Sequence, residues 1–144
     1  MKQRIAVGGD HAGYAMRQHL IQHLRTVGVE VLDEGTATAD PVDYPDYAHR
    51  VAEAVSNGLA DLGIVVCGSG NGVNITANKH RGIRSALAWN AEVAALARQH
   101  NNANVLALPA RFINEAESDA IVDAFLAARF EGGRHERRVS KIEP

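Results

Sequence analysis

The chain has 144 residues, enough for one domain, and 46% of them are hydrophobic, enough to bury a core. A formal net charge of −2 excludes a general attraction to nucleic acid or an anionic membrane. The single cysteine excludes an intrachain disulfide, and no apolar run approaches the ~20 residues of a membrane span.

Aromatic residues are scarce at 5%, so the core must be built mainly from Val, Ile, Leu and Ala. No signal-peptide pattern opens the chain. The expectation is a single cytoplasmic domain over residues 1–144.

Short apolar runs alternate with amphipathic stretches. Ile5–Val7 predicts a first strand. Gly13–Val27 predicts a helix, with Met16, Leu20, Leu24 and Val27 on one face. Val29–Leu32 reads as the second strand, and residues 33–43 as a polar loop. Asp43-Tyr44-Pro45 has the form of a helix start, a capping residue followed by an early proline. That helix runs to Asn57-Gly58 and carries Ala48, Val51, Ala52 and Val55. Gly63–Cys67 is the third strand, with a helix over 71–78 behind it. Ile83–Ala88 and Val105–Leu108 are the fourth and fifth strands, separated by a helix over 91–100. Glu115–Phe130 is the last long helix. Strands alternating with helices predict a five-stranded parallel sheet in a Rossmann-like three-layer α/β/α sandwich. After Gly132-Gly133 comes a basic segment with Arg134, His135, Arg137, Arg138 and Lys141.

The chemistry-bearing residues fall where loops leave strands, the positions at which open α/β sheets bind ligands. Cys67 ends an apolar run and opens the loop Gly68-Ser69-Gly70-Asn71-Gly72. Thiols set against backbone N–H groups and helix N-termini are favoured as thiolates and can serve as base or nucleophile. A small buried hydrophobe is the plainer reading of a lone cysteine. The loop can cradle an anion or an enolate-like oxygen. It is not a dinucleotide fingerprint, which would need glycine where Val73 stands, and no P-loop pattern occurs. Asp10 and His11 follow the first strand, although Asp10 has an ordinary role open to it as a helix cap. Arg111 follows the fifth strand. His100 and Asn101 close the fourth helix, where a histidine also fits simple dipole stabilisation. Arg134 and Arg138, four apart, share one face if helical and present two guanidinium forks suited to phosphate. The alternative is a solvated basic face. His19, His23, His49 and His80 show no metal-ligand spacing.

Together these segments resemble the ribose/galactose-phosphate isomerase family, in its type B ribose-5-phosphate branch. The resemblance covers nearly the whole chain. It rests on Gly9-Asp10-His11-Ala12-Gly13, Asp43-Tyr44-Pro45, Cys67-Gly68-Ser69-Gly70-Asn71-Gly72 with Ala77-Asn78-Lys79, Arg98-Gln99-His100-Asn101, and Gly132-Gly133-Arg134-His135 with Arg138. It implies an aldose–ketose isomerase acting through a cis-enediolate without metal or cofactor. On that reading Cys67 is the proton-transfer base. Ser69 and the loop N–H groups, from Gly68 to Gly72, stabilise the enediolate oxygen. His100 opens the sugar ring, Asp10 assists at the hydroxyls, and Asn101 binds substrate. His11, Arg111, Arg134 and Arg138 contact phosphate or sugar, and Tyr44 lines the pocket. The resemblance further implies homodimers or dimers of dimers with shared sites, the tail over 130–144 serving the neighbouring subunit. One branch of the family replaces the cysteine by a glutamate a few residues on. This chain has Val73 there and keeps Cys67, which places it with the cysteine users. Relatives acting on allose 6-phosphate, galactose 6-phosphate or tetrose phosphates stay open as alternatives. So does a non-catalytic phosphate- or nucleotide-binding module on the same fold.

Overall fold

A computed structural model describes residues 2–144. Five strands form one parallel sheet: β1 (Arg4–Gly9), β2 (Glu30–Asp33), β3 (Leu62–Cys67), β4 (Ser85–Leu87) and β5 (Val105–Pro109). Six helices accompany them: α1 (Tyr14–Thr26), α2 (Tyr44–Ser56), α3 (Asn71–Ala77), α4 (Ala91–Asn101), α5 (Glu115–Ala127) and α6 (Arg134–Val139). The strand order is β2-β1-β3-β5-β4. β2 lies on one side of β1 and β3 on the other, so the winding reverses between β1 and β3. That reversal opens a crevice at the carboxyl ends of these two strands.

Period-two alternation explains the three layers. Ile5, Val7, Ile64, Val66, Leu106 and Leu108 point to one face, where they pack with Leu20 and Leu24 of α1, Ala94 and Ala97 of α4, and Ile121 and Phe125 of α5. Ala6, Val65, Cys67, Val105 and Ala107 point to the other, against Ala48, Val51 and Ala52 of α2 and Val73 and Ala77 of α3. β3 is buried along its whole length, as a central parallel strand must be. Cys67 thus belongs to the α2/α3 face and pairs in register with Pro109.

Local departures from the expected elements have plain causes. The first helix is preceded by a 3-10 turn at His11–Gly13, because the Asp10 carboxylate accepts from the N–H groups of Ala12 and Gly13 (3.0 and 3.2 Å). Asp43 does not cap α2 with its side chain; its carbonyl accepts from Asp46 N–H at 3.3 Å instead. β4 is shorter than the run Ile83–Ala88, since it is an edge strand paired only with β5. The apolar helix ends at Ala127, where Ala128 turns extended. Val27, expected on the inner face of α1, is exposed at the helix end.

Candidate active site

The sheet's carboxyl edge carries a cleft of about 390 Å³ lined by Asp10, His11, Ala12, Tyr44, Cys67, Gly68, Ser69, Gly72 and Arg111. Each wall has its own local cause. β3 delivers Cys67 to the floor, 5% exposed, with its carbonyl accepting from Ala110 N–H at 2.9 Å. The loop then turns through Gly70, whose φ of +76° is a left-handed conformation that favours glycine. Ser69 is exposed on this turn, and its Oγ accepts from Asn71 N–H at 3.2 Å. An oxygen already serving as acceptor leaves its O–H free to donate into the cleft. The N–H groups of Ser69 and Gly70 meet no acceptor among the described residues.

Tyr44, the first residue of α2, lays its ring against Gly72. A Cβ there would stand 2.5 Å from the ring, so only glycine fits. Opposite, the backbone N–H of Val42 donates to His11 Nδ1 at 3.1 Å. A backbone N–H can only donate, so the neutral ring carries its proton on Nε2, the remaining donor. Asp10 is buried at the start of this segment, one oxygen committed to the 3-10 turn. Arg111 emerges from the loop after β5, tied back by its N–H to the Gly68 carbonyl at 3.0 Å, with its side chain exposed. The site therefore sets a thiol, a hydroxyl, a carboxylate, a phenol, an imidazole donor and a guanidinium around one space. Such a set suits a small anionic polyol.

Gly70 and Asn71 of the predicted loop do not line this cleft, and four further predicted residues lie away from it: His100, Asn101, Arg134 and Arg138. The topology says why. In a parallel sheet each helix runs back from the carboxyl to the amino edge. α4 has 11 residues. It therefore carries His100 and Asn101 about 16 Å down, at ~1.5 Å per residue, to the edge opposite Cys67. Asn101 there borders a separate pocket with Asn78, Ser85 and Ile142. His100 stacks on His135 of α6, ring centroids 4.2 Å apart and planes 12° apart. Glu131 Oε1 lies 3.9 Å from His100 Nε2 and 3.6 Å from His135 Nε2. Burial, then the neighbouring His100 and Arg134, holds the His135 imidazole below its ordinary value. These three side chains offer ligand atoms within 4.8 Å of one another. However, near-parallel rings direct their in-plane lone pairs side by side, so the geometry is that of a stack rather than a converged metal centre. Arg134 and Arg138 are exposed on α6, and the preceding hinge is tethered by Glu131 N–H to the Gln99 carbonyl at 3.0 Å.

The ribose/galactose isomerase family model matches residues 5–142. The chain belongs to this family. It is 46% identical to ribose-5-phosphate isomerase B of Escherichia coli over 140 residues, 97% of this chain and 94% of the relative. It is 44% identical to the Mycobacterium tuberculosis ribose-5-phosphate isomerase B over 138 residues, covering 94% and 85% of the two chains. Among solved structures, a ribose 5-phosphate isomerase from Thermotoga maritima superposes with a TM-score of 0.97 at 46% identity, covering 99% of both chains. A Mycoplasma genitalium ribose-5-phosphate isomerase B with bound ribulose-5-phosphate gives 0.94 at 47% identity, covering 99% of this chain and 95% of that one. The protein is accordingly a sugar-phosphate isomerase of the aldose–ketose class, with the α/β fold of its relatives. No described helix is long and apolar enough to cross a membrane.

Sequence reasoning missed three things around the site: the Val42–His11 hydrogen bond, the Tyr44–Gly72 packing and the Glu131 contact with both histidines. The first two join residues 31 and 28 positions apart, and only the fold brings them together.

Proposed function

We propose that this isomerase interconverts ribose 5-phosphate and ribulose 5-phosphate through a cis-enediolate, with Cys67 as the base. The observation that carries the reading is the thiol on the floor of a cleft whose walls supply hydroxyl, carboxylate and cationic groups. The open-chain aldose loses its C2 proton to the Cys67 thiolate. The electron pair forms the C1–C2 double bond, and the carbonyl oxygen becomes the enediolate oxygen. The Ser69 hydroxyl and the loop N–H groups stabilise that charge where it develops. The thiol then returns the proton to C1, while the C2 hydroxyl gives up its proton to O1 and becomes the carbonyl, giving the ketose. Asp10 accepts hydrogen bonds from the sugar hydroxyls, and Tyr44 closes one wall. His11 Nε2–H and Arg111 hold the phosphate at the cleft mouth.

A ring-opening acid and base is also needed, because a five-carbon aldose phosphate closes to a furanose. His100 suits that task chemically but stands at the far sheet edge of its own chain. The reading therefore includes a homodimer, or a pair of such dimers. In it His100, Asn101, Arg134 and Arg138 of one protomer complete the cleft of the other. The test is formation of ribulose 5-phosphate from ribose 5-phosphate in the presence of chelator, beside tetrose, allose and galactose phosphates. The highest kcat/KM is expected on ribose 5-phosphate. A higher value on another sugar would move the substrate assignment to it.

A further inference from the structure

Arg17 is the most buried charged side chain of the described residues, 1% exposed, in the first turn of α1. It lies among Met16, Leu20 and Ile21, in a helix whose inner face is otherwise apolar. A guanidinium cannot be buried there unpaired. Its partners all lie elsewhere in the chain. Nη1 pairs with the carboxylate of Asp33 at the end of β2, and Nη2 donates to the carbonyl of Thr36. The backbone of Gly35 lies against the guanidinium, and the Tyr14 ring sits 5.3 Å from it.

Those contacts clamp the start of the irregular segment over residues 34–43. Further bonds run on from the clamp. Glu34 N–H donates to the Val7 carbonyl at 2.8 Å, Thr38 N–H to Thr36 Oγ1 at 3.4 Å, and Asp40 N–H to Thr38 Oγ1 at 3.2 Å. Two residues beyond Asp40, Val42 N–H donates to His11 Nδ1, and two beyond that Tyr44 enters the cleft wall. The segment thus has its anchor in the core at one end and the site at the other. Arg17 itself does not line the cleft.

We propose that Arg17 is a positioning residue for substrate binding: it fixes the 34–43 segment so that Val42 holds His11 in its Nε2–H form and Tyr44 keeps its place. The consequence for turnover rests on the reading that His11 contacts the substrate phosphate; the consequence for the His11 ring does not. Substitution by lysine is the conservative case. A lysine keeps the positive charge and N–H donors for Asp33 and the Thr36 carbonyl, and the Arg17 Nε, which finds no partner among the described residues, is removed with the guanidinium.

The experiment compares wild type with Arg17→Met and Arg17→Lys by steady-state kinetics and by 15N NMR of the histidine side chains. Arg17→Met should raise KM about tenfold with kcat changed less than about threefold, as loss of one positioned donor does. It should also move His11 from a single Nε2–H tautomer to a mixture. Arg17→Lys should restore both. The double variant Arg17→Met/His11→Ala should have the KM of His11→Ala alone. If Arg17→Met does not fold, Asp33→Asn loosens the same clamp with the arginine retained, and is read in the same way. An unchanged His11 tautomer in the loosened variant overturns the proposal, whatever the melting temperature does. So does a KM effect fully additive with His11→Ala. A tautomer change with no KM effect, and His11→Ala equally without one, would keep Arg17 as the anchor of His11 and instead remove His11 from the substrate site.

Discussion

Replacing Cys67 by alanine separates its chemical role from its packing role. The thiol is 5% exposed and packs on the face shared with Ala6, Val65, Val73 and Ala107. Removing one sulfur forfeits burial comparable to a methylene, ~0.8 kcal/mol, and leaves a void smaller than those of leucine-to-alanine changes. The total of about 1 kcal/mol is small against the ~5–15 kcal/mol of a typical domain. The bond from Ala110 N–H to the Cys67 carbonyl involves no side chain and survives. The variant should therefore fold, with a melting temperature lower by a few degrees. Its kcat should fall by ~10²–10⁴, the usual cost of losing a general base, while KM stays within about threefold. The assay is ketose formation from ribose 5-phosphate, beside a melting curve on the same preparation. A folded Cys67→Ala protein with kcat within about threefold of wild type would return the thiol to the core and refute the mechanism.

Two more outcomes follow from the same geometry. If one chain supplies Cys67 and the other Arg134, mixing inactive Cys67→Ala and Arg134→Ala chains builds one sound site in each mixed dimer. Random exchange should then restore about a quarter of wild-type activity, and no recovery despite demonstrated exchange would argue for a site made from one chain. The second outcome concerns pH. Burial and the neighbouring His100 hold His135 below its ordinary value, so between its unfolded and folded values the unfolded chain binds more protons. Stability should be full above the ordinary histidine range and decline as pH falls through it toward the depressed value. In melting curves from pH 7.5 to 5, His135→Gln should lose part of that decline, and an unchanged slope would contradict the assignment.

The periodic segments were readable because one principle governed each. β3 is apolar throughout since both its faces are covered, and α2 announces itself through Pro45 and its alternating alanines and valines. The Cys67 loop and the Asp10-His11 pair could be expected to meet in one cleft because both follow strands, and carboxyl ends of strands are where such sheets bind ligands. The strand order was not legible. Nothing local in Ser85–Leu87 says that β5 will insert between it and β3. Contacts between distant segments were hidden for the same reason. His19 and His23, without metal-ligand spacing in the sequence, bond Asp119 and Asp123 of α5 at 2.9 and 2.7 Å across 100 residues. Arg17 reads as an ordinary helical cation until the fold buries it.

The arrangement of α4 turns these observations into an argument about assembly. A helix leaving the carboxyl edge of a parallel sheet has no short route back to it. Residues at its far end cannot serve a cleft at its near end, however well their chemistry suits. His100 and Cys67 are separated by that constraint rather than by a loop that could swing. The α6 arginines share the position of His100, because His135 stacks on it and Glu131 ties the hinge to Gln99. His100, Arg134 and Arg138 thus lie on one region of the fold. If they act on a sugar phosphate held beside Cys67, a second copy must bring its amino edge to the first copy's carboxyl edge. A two-fold axis satisfies both clefts at once, since each protomer then gives one edge and receives the other. Substrate binding and subunit pairing would be two readouts of the same contact. For that reason the complementation experiment, rather than any single substitution, bears most directly on how this isomerase works.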